Sequence, residues 1–287
     1  MKKILAVSGG VDSMVMLDIF LENFSSEEIV VATFNHGTRL SAKDDIDFVE
    51  KKVLERGKKI KVYKGEAKLG EGVSEEKART ARYDFLRKVA FLEKGEIFTA
   101  HHLDDLVETV AINLLRGTGF RGLACLSSPG IRRPFLDGFF EGVWGKNDIL
   151  RYAAKNNVVF REDPTNSSED YLRNKIRLKI RGLKKDDKLE IFGLWERQVE
   201  IVSEIDSILE AILPEDLYFS RDDFKEFDEK ISLEILRAGL LRRGISTTRP
   251  QRREFLKAVL EYKSGKKFNL PGDKLVKIER DRFKLCF

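Results

Sequence analysis

A short glycine-containing segment near the start of the chain has the residue types of an anion-binding turn. Residues 8–13 read Ser-Gly-Gly-Val-Asp-Ser, directly after the apolar run Ile4–Val7 and directly before apolar residues at helical spacing. Paired glycines leave room for a phosphate to approach the backbone amides. The N-terminus of a helix then attracts the anion through its unpaired N–H groups and its dipole. No lysine follows the glycines, so the segment differs from the common G-x-x-x-x-G-K-[S/T] phosphate loop.

We interpret this segment as a pyrophosphate site that works with a divalent cation. The hydroxyls of Ser8 and Ser13 can donate to phosphate oxygens, whereas the carboxylate of Asp12 repels them unless a cation such as magnesium lies between. The alternative is an ordinary strand-to-helix turn in which serine and aspartate act as helix caps. The residues assigned to the anion site are Ser8, Gly9, Gly10, Val11, Asp12 and Ser13.

A second candidate group is a histidine pair followed by three carboxylates. Residues 101–109 read His-His-Leu-Asp-Asp-Leu-Val-Glu-Thr. On a helix, Asp105 and Glu108 are three residues apart and share a face, with His101 at its start. Paired carboxylates repel each other and favour a cation, which can be magnesium or an ammonium substrate. The alternative is that Asp104 and Asp105 only complement the helix dipole in the first turn.

Two basic segments have the pattern of phosphate-binding sites. Arg79 and Arg82 are three residues apart on a predicted helix, so their guanidinium groups can point together off its apolar side. Planar forked donors of this kind suit phosphate. Arg173, Arg177 and Arg181 recur every four residues and form a basic stripe able to line a phosphate or nucleic-acid path. A solvated charged face is the alternative for both segments.

The elements that position these residues alternate between short apolar runs and longer helical stretches. Strands separated by helices of this length indicate right-handed crossovers and a parallel sheet covered on both faces. The predicted strands are Ile4–Val7, Ile29–Phe34, Ile60–Tyr63 and Ile97–Ala100, and the helices between and after them are Asp44–Arg56, Glu75–Leu92 and Leu103–Arg116. The predicted fold class is α/β, a Rossmann-like parallel sheet with helices on both faces.

The candidate residues fall at the ends of these predicted strands. In open parallel sheets, ligands bind at the carboxyl ends of the strands. The glycine turn follows the first strand, Asn35-His36 follow the second, and His101-His102 follow a later one. Three segments far apart in sequence are therefore expected to meet at one edge.

A long amphipathic stretch separates this region from a compact basic unit. We predict a catalytic domain over residues 1–182, a linker helix over 183–212 and a small α+β domain over 213–287. Residues 231–287 hold 15 Lys/Arg and 6 Asp/Glu, a net charge of +9, which leaves −4 for the first 230 residues. This asymmetry indicates a polyanionic partner for the C-terminal domain. A Lys/Glu-rich surface like that of heat-stable proteins is the alternative.

Cysteine usage and hydropathy exclude several classes of protein. Cys125 and Cys286 lie far apart and form no C-x-x-C pair, which argues against a disulfide framework, a zinc ribbon or an iron–sulfur site. No apolar stretch approaches the ~20 residues of a membrane span, and no signal-peptide pattern opens the chain. We expect a cytoplasmic protein without a membrane partner.

Seven ordered motifs over residues 1–181 resemble those of the tRNA(Ile)-lysidine synthetases, which are pyrophosphate-loop ATPases. The first motif alone indicates only the superfamily, whereas the ordered set is specific. The motifs are S-G-G-V-D-S (8–13), F-N-H-G-T-R (34–39), E-K-A-R-T-A-R-Y (76–83), A-H-H-L-D-D-L-V-E-T (100–109), R-G-T-G (116–119), R-R-P (132–134), and D-P-T-N (163–166) with R-N-K-I-R (173–177). The C-terminal unit is similar to the family's substrate-binding domain.

Two features depart from the family's pattern. The link over residues 135–149 is longer than usual and carries Lys146 where an arginine is common. One short C-terminal domain follows, whereas longer members carry two, so the tRNA contacts of a second domain are expected to be absent or replaced.

The resemblance implies ATP-dependent ligation of L-lysine to the wobble cytidine in the CAU anticodon of tRNA(Ile). The reaction passes through an adenylated cytidine and gives lysidine, which changes decoding from AUG to AUA. The implied partners are tRNA(Ile), L-lysine, and ATP with Mg²⁺. The assembly is left open, with a homodimer as one option.

The resemblance also implies roles for individual residues. Asp12 and Asp105 share the magnesium ion. Arg82 stabilises charge at the α-phosphate, and Glu108 orients or deprotonates the lysine ammonium. His101 contacts a phosphate or the activated base. The implied nucleotide-binding residues are Ser8, Gly9, Gly10, Val11, Asp12, Ser13, Phe34, His36 and Arg82.

Three other functions share parts of this pattern. A pyrophosphate-loop tRNA thiolase generally needs cysteine pairs, which Cys125 and Cys286 do not offer. An amidotransferase-type ligase of small molecules needs ammonia delivery, and no glutaminase-like segment is present. A non-catalytic nucleotide-binding module would have little use for the Asp105/Glu108 face or for a basic appendage.

Overall fold

The strands of the first 132 residues form one parallel sheet in the computed structural model, which describes residues 1–35, 42–55, 59–66, 75–161, 176–180 and 182–285. The strand order is β3-β2-β1-β4-β5, and every neighbouring pair is parallel. The strands are β1 (Lys2–Ala6), β2 (Ile29–Asn35), β3 (Lys61–Glu66), β4 (Gly95–Phe98) and β5 (Ile131–Arg132). The order reverses beside β1, so the carboxyl ends of β1 and its neighbours form the edge at which doubly wound sheets bind ligands.

Helices cover both faces of this sheet because alternate strand residues point to opposite sides. Ile4 and Ile97, paired in register, pack with the helix that carries Leu86, whereas the next pair, Leu5 and Phe98, packs on the opposite face. The helices of this region are α1 (Val11–Asn23), α2 (Ala42–Glu55), α3 (Glu75–Glu93), α4 (Leu103–Leu115), α5 (Phe120–Leu123) and α6 (Lys146–Lys155). The predicted α/β class, with a Rossmann-like parallel sheet and helices on both faces, is confirmed.

The chain divides into two compact units, Met1–Val199 and Glu200–Phe287. The boundary falls inside the long helix α7 (Lys185–Ile212). Residues 176–180 are helical, and their Ile176 and Ile180 pack with α4 and with Phe192 of α7. This packing brings Arg177 to the side of α4, whereas Arg173 and Arg181 lie outside the described residues.

The second unit is a small α+β fold with its own apolar core. Its elements are β6 (Tyr218–Ser220), α8 (Arg221–Glu226), α9 (Glu229–Arg242), α10 (Arg249–Glu261), β7 (Lys267–Leu270), β8 (Lys274–Lys277) and β9 (Arg282–Lys284). Antiparallel pairs join β6 with β9 and β7 with β8. Phe255 and Phe283 are buried at its centre. The guanidinium of Arg221 is also buried, and it donates to five backbone carbonyls of the segments around it.

Across the described residues, the longest helices carry too many charges and too few apolar side chains to cross a bilayer.

Candidate active site

The turn between β1 and α1 has the geometry of an anion cradle. Gly9 has φ +90°, a conformation that side chains rarely adopt, and Gly10 is the N-cap of α1. The Ser13 hydroxyl donates to the Gly10 carbonyl at 2.9 Å and lies 3.2 Å from the Ser8 hydroxyl. The Ser8 amide donates to Ser13 Oγ at 3.1 Å. The first N–H groups of α1 have no partner within the helix, so the turn presents donors and the positive end of a dipole at the edge of the sheet.

Asp12 from this turn and Asp105 from α4 meet at the imidazole of His102. His102 Nε2 lies 3.7 Å from Asp12 Oδ1 and 3.5 Å from Asp105 Oδ2. The backbone amide of His102 also donates to Asp105 Oδ2 at 3.1 Å, which makes His102 the N-cap of α4. The His102 side chain is buried. Two carboxylates that are 93 positions apart in sequence therefore flank one imidazole.

The electrostatics of Asp105 reflect this crowding. Burial raises its pKa, and the negative charges of Asp12 and Glu108 raise it further, while His102 acts in the opposite direction. A carboxylate whose ionised form is disfavoured by neighbouring carboxylates is stabilised by a cation. Asp105 therefore favours a positive charge beside it, and the cation shared with Asp12 stays a prediction from the sequence.

Lys146 occupies part of this acidic cluster. Its ammonium donates to Asp12 Oδ1 at 2.6 Å, and its backbone amide donates to Asp104 Oδ2 at 2.7 Å. Asp104 Oδ1 accepts a second charged hydrogen bond, from Lys188 Nζ at 2.6 Å. Burial opposes ionisation of Asp104, but these hydrogen bonds outweigh it and lower the pKa of Asp104. Asp104 therefore holds the N-terminus of α6. Its carboxylate can lie this close because residue 145 is a glycine, since a Cβ there would be 3.0 Å from Asp104 Oδ2.

Glu108 lies one turn further along α4 and is buried. Its Oε2 accepts a hydrogen bond from Arg177 Nε at 2.8 Å, and the two form an ion pair. The sequence predicts Arg177 as part of a basic stripe able to line a phosphate or nucleic-acid path, and it gives no sign of a contact with Glu108. Contacts between side chains 69 positions apart depend on the packing of residues 176–180 against α4.

His101 and Arg82 lie at the same edge of the sheet. His101 follows β4, and its Nδ1 is 2.9 Å from the Thr99 hydroxyl. Burial lowers the pKa of His101 well below its ordinary value, and nearby positive charges, led by Arg133 and Arg82, lower it further. The imidazole is therefore neutral at neutral pH and can accept or donate a hydrogen bond without carrying a charge.

The remaining candidate residues lie at the end of β2 and at the start of α1. Phe34 is near the end of β2, and its ring centroid is 5.5 Å from that of Phe85. A Cβ at Gly65 would lie only 2.6 Å from the Phe34 ring, so a glycine is needed beneath it. Val11 is buried at the first position of α1. His36 lies outside the described residues.

The acidic oxygens have the chemistry of a magnesium site, which needs few protein ligands. Among the described residues, no three His, Cys, Asp or Glu side chains come together as a metal site. Mg²⁺ usually takes only one or two protein carboxylates and completes its shell with water and substrate phosphates. Asp12 and Asp105 meet that requirement, and Asp12 is bound by the Lys146 ammonium.

The N-terminal part of the chain matches a known protein family. Residues 1–183 match the family described as the PP-loop domain. The chain therefore belongs to the PP-loop family, as the ordered motifs indicated.

The names of individual similar proteins are more specific than the family description. The tRNA(Ile)-lysidine synthase of Thermotoga maritima is 36% identical over 233 residues, which cover 76% of this chain and 55% of the relative. That of Thermosipho africanus is 34% identical over 294 residues, covering 96% of this chain and 66% of the relative. The chain thus spans less than two thirds of the length of these relatives. The resemblance to tRNA(Ile)-lysidine synthetases that the motifs predicted is confirmed by these similarities.

A solved structure shares the fold. The U34-tRNA thiolase NcsA from Methanococcus maripaludis, determined with its [4Fe-4S] cluster, has a TM-score of 0.58 and 22% identity, and the match covers 70% of this chain and 72% of that one. At this identity the similarity shows only that the two proteins share the fold of the sheet and its helices.

Proposed function

We propose that this chain uses ATP to activate the wobble cytidine of tRNA(Ile) with a CAU anticodon and then ligates L-lysine to it. One observation carries the proposal: Asp12 of the anion cradle and Asp105 of α4 flank the same imidazole. Cleavage of ATP between its α- and β-phosphates needs donors for a diphosphate and acidic groups for a cation in one place. The names of the relatives supply tRNA(Ile) and lysidine, and the resemblance of the ordered motifs implies ATP, L-lysine and the CAU anticodon.

The first half-reaction transfers the adenylyl group. The carbonyl oxygen of the cytosine ring attacks the α-phosphorus of ATP, and the bond from that phosphorus to the diphosphate breaks. The Ser8 hydroxyl and the N-terminus of α1 bind the diphosphate as it leaves, and the Ser13 hydroxyl turns from the Gly10 carbonyl to the diphosphate. Arg82 stabilises the charge that develops at the α-phosphate, a type of contact whose loss lowers rates by roughly 10²–10³.

Asp12 and Asp105 would hold the magnesium ion. When bound there, Mg²⁺ offsets the negative charge of the diphosphate. Lys146 would then exchange its contact with Asp12 for one with the anion, since Asp12 cannot serve both cations fully.

The second half-reaction forms the carbon–nitrogen bond. The lysine ε-amine attacks the activated ring carbon, the bond from that carbon to the AMP oxygen breaks, and the amine loses a proton. Only the neutral amine is nucleophilic, so a carboxylate that orients the ammonium and takes its proton assists the step. Glu108 fills this role in the proposal, with Arg177 fixing the position of one of its oxygens.

The tRNA body would bind to the second unit. Its hairpin β7–β8 carries the exposed residues Lys267, Lys274 and Lys277, and such lysines attract a phosphate backbone regardless of sequence. We further propose that the enzyme acts in the cytoplasm, where its tRNA substrate is found.

The decisive experiment is nucleoside mass analysis. A CAU-anticodon tRNA(Ile) transcript is incubated with the protein, ATP, Mg²⁺ and L-lysine, and then digested to nucleosides. Lysidine is expected in the complete mixture and absent when lysine or ATP is omitted, and a methionine tRNA transcript with the same anticodon is the matched control. Pyrophosphate release that does not depend on tRNA, or a complete mixture that gives no lysidine, would contradict the proposal.

A further inference from the structure

Thr99 is a buried threonine that follows β4 directly and contacts the imidazole of His101. It is only 5% exposed, and its hydroxyl lies 2.9 Å from His101 Nδ1. Its backbone amide donates to the Arg132 carbonyl at 3.0 Å, next to the pairing of β4 with β5. A β-branched side chain has few rotamers once its backbone is fixed. The sheet therefore holds the Thr99 hydroxyl in place against the ring.

His101 is a neutral imidazole, so its single ring proton sits on one of two nitrogens. Burial lowers its pKa well below the ordinary value, and nearby positive charges, led by Arg133 and Arg82, lower it further. A neutral imidazole has one N–H donor and one acceptor nitrogen, and the hydrogen bond made by one nitrogen decides the character of the other. The tautomer of His101 therefore depends on which group donates in its contact with Thr99.

Hydrogen-bond accounting favours the Thr99 hydroxyl as the donor. Among the described residues, His101 Nδ1 is the acceptor within hydrogen-bond distance of this hydroxyl. If Nδ1 carried the ring proton, the hydroxyl would have to accept, and its own proton would need a second acceptor in a buried place. An oxygen with an unused lone pair costs less than a buried donor that stays unpaired.

We propose that Thr99 is a positioning residue that fixes the tautomer of His101 and so makes its Nε2–H a hydrogen-bond donor at the ligand-binding edge. The Thr99 hydroxyl donates to Nδ1, which leaves the ring proton on Nε2. His101 follows β4, the parallel neighbour of β1, at the same carboxyl edge as the glycine turn. A neutral N–H held in place stabilises negative charge that develops on an oxygen.

The choice of acceptor rests on the proposed function. Two oxygens of that reaction suit an N–H donor, a phosphate oxygen of ATP and the oxygen of the cytosine ring. The other tautomer would turn the lone pair of Nε2 toward either oxygen and repel it. The Thr99 hydroxyl therefore decides whether His101 assists or opposes the reaction, without itself touching a substrate.

The tautomer is measured by nitrogen NMR of the full chain with ¹⁵N-labelled histidine. The chain has three histidines, and a His101→Gln variant assigns the resonances of His101. In the wild type, Nδ1 is expected to show the shift of an acceptor nitrogen and Nε2 that of a protonated one. Thr99→Val, which keeps the shape and removes the hydroxyl, is expected to give a mixture of tautomers. Thr99→Ser is expected to restore the wild-type spectrum.

Thr33→Val is the matched control, because Thr33 is a buried threonine of β2 in the same sheet. It is expected to leave the spectrum of His101 unchanged. A ring proton on Nδ1 of wild-type His101, or the same tautomer in Thr99→Val as in the wild type, overturns the proposal. A purely structural role of Thr99 would lower the unfolding midpoint of Thr99→Val without changing the tautomer.

Two ligands identify the acceptor oxygen. ATP with Mg²⁺ and a CAU anticodon stem-loop RNA are each added alone, and the Nε2–H proton resonance of His101 is followed. A downfield shift with ATP identifies a phosphate oxygen, and one with the RNA identifies the ring oxygen. No shift with either ligand overturns the donor role. Neither measurement needs turnover, so a failure of lysine transfer contradicts the proposed function and leaves the tautomer result intact.

Kinetics show whether Thr99 acts through His101. In tRNA-dependent pyrophosphate release, Thr99→Val is expected to lower kcat about 2- to 10-fold, the effect of one neutral hydrogen bond, with little change in KM for ATP. Thr99→Ser is expected to recover the rate. In a His101→Gln background, Thr99→Val is expected to have no further effect. Equal losses in both backgrounds would show that Thr99 acts independently of His101 and would overturn the proposal.

Discussion

The ammonium of Lys146 lies 2.6 Å from Asp12 Oδ1, across 134 positions of sequence. The glycine turn contains no lysine. The helix α6 instead positions Lys146 beside the carboxylate of Asp12. The backbone of Lys146 is fixed by Asp104, while its side chain is 39% exposed and free to change partners. Lys146 is therefore suited to neutralise Asp12 in the free protein and to contact the diphosphate once a metal takes the carboxylate.

Replacing Lys146 by methionine is expected to weaken diphosphate binding. A hydrogen bond to a charged group contributes about 1.5–3 kcal/mol, which corresponds to a loss of roughly 10- to 100-fold in affinity. Lys146→Arg is expected to retain most of the affinity, because it keeps the charge. Calorimetric titration with inorganic pyrophosphate and Mg²⁺ measures the effect.

Lys155→Met, at the other end of α6, is the matched control and is expected to bind as the wild type does. The unfolding free energy of Lys146→Met is expected to change by less than about 1 kcal/mol, since the ion pair is partly exposed. If Lys146→Met binds pyrophosphate as tightly as the wild type does, then Lys146 pairs with Asp12 in the free protein but does not contact the diphosphate.

Asp104 is expected to contribute to stability in a pH-dependent way. Its carboxylate binds both the α6 N-terminus and Lys188, so Asp104→Asn is expected to lose about 1–3 kcal/mol at pH 7. The pKa of Asp104 is lowered in the folded state from 3.8. Its contribution is therefore complete above pH 3.8 and is lost as the pH falls through the lower, folded-state value.

Denaturant unfolding of the wild type and Asp104→Asn over a pH series measures this difference. Asp84→Asn removes an exposed carboxylate that pairs with Arg87 and is the control, with little expected effect. A stability difference that stays constant below pH 3.8, or none at pH 7, would show that the ionised carboxylate is not the cause.

Glu108→Gln is expected to separate the two half-reactions. The substitution keeps the shape of the side chain but removes the group that takes the proton of the lysine amine, so lysine transfer is expected to fall by roughly 10²–10⁴. Adenylation of the tRNA, followed as pyrophosphate release in a single turnover, is expected to be unchanged. Glu22→Gln on α1 is the matched control, and equal losses in both half-reactions would contradict the assignment to lysine.

The fold was predictable from the sequence because its periodicities are local. The apolar run Ile29–Phe34 and the helical spacing over Leu103–Arg116 became β2 and α4 with boundaries that differ by one residue. The strand β5 was not predicted, since two residues carry no periodicity. The helix α6 was not predicted either, because it follows a long aromatic link in which turn signals dominate.

The site was predictable only in part, since several of its contacts depend on tertiary packing. The motif resemblance predicts one cation shared by Asp12 and Asp105, and their carboxylates lie on either side of His102. The motif resemblance implies a role for His101 and not for His102, because the sequence does not show in which direction each of two adjacent residues at a strand end faces. The contact between Lys146 and Asp12 had no sequence signal apart from the family's preference for arginine at that position.

The exposed lysines of the β7–β8 hairpin are expected to set the salt dependence of tRNA binding. Each phosphate contact that is lost lowers the slope of log affinity against log salt by about 0.7–0.9. The combined variant Lys267→Gln, Lys274→Gln and Lys277→Gln is therefore expected to bind tRNA more weakly at low salt, with a slope lower by about 2–3. ATP affinity is expected to be unchanged, because the nucleotide cradle belongs to the other unit.

A variant with Lys51, Lys88 and Lys94 changed to glutamine removes the same charge from exposed positions of the first unit. If that control lowers the slope as much as the hairpin variant does, net charge rather than the hairpin surface governs tRNA binding.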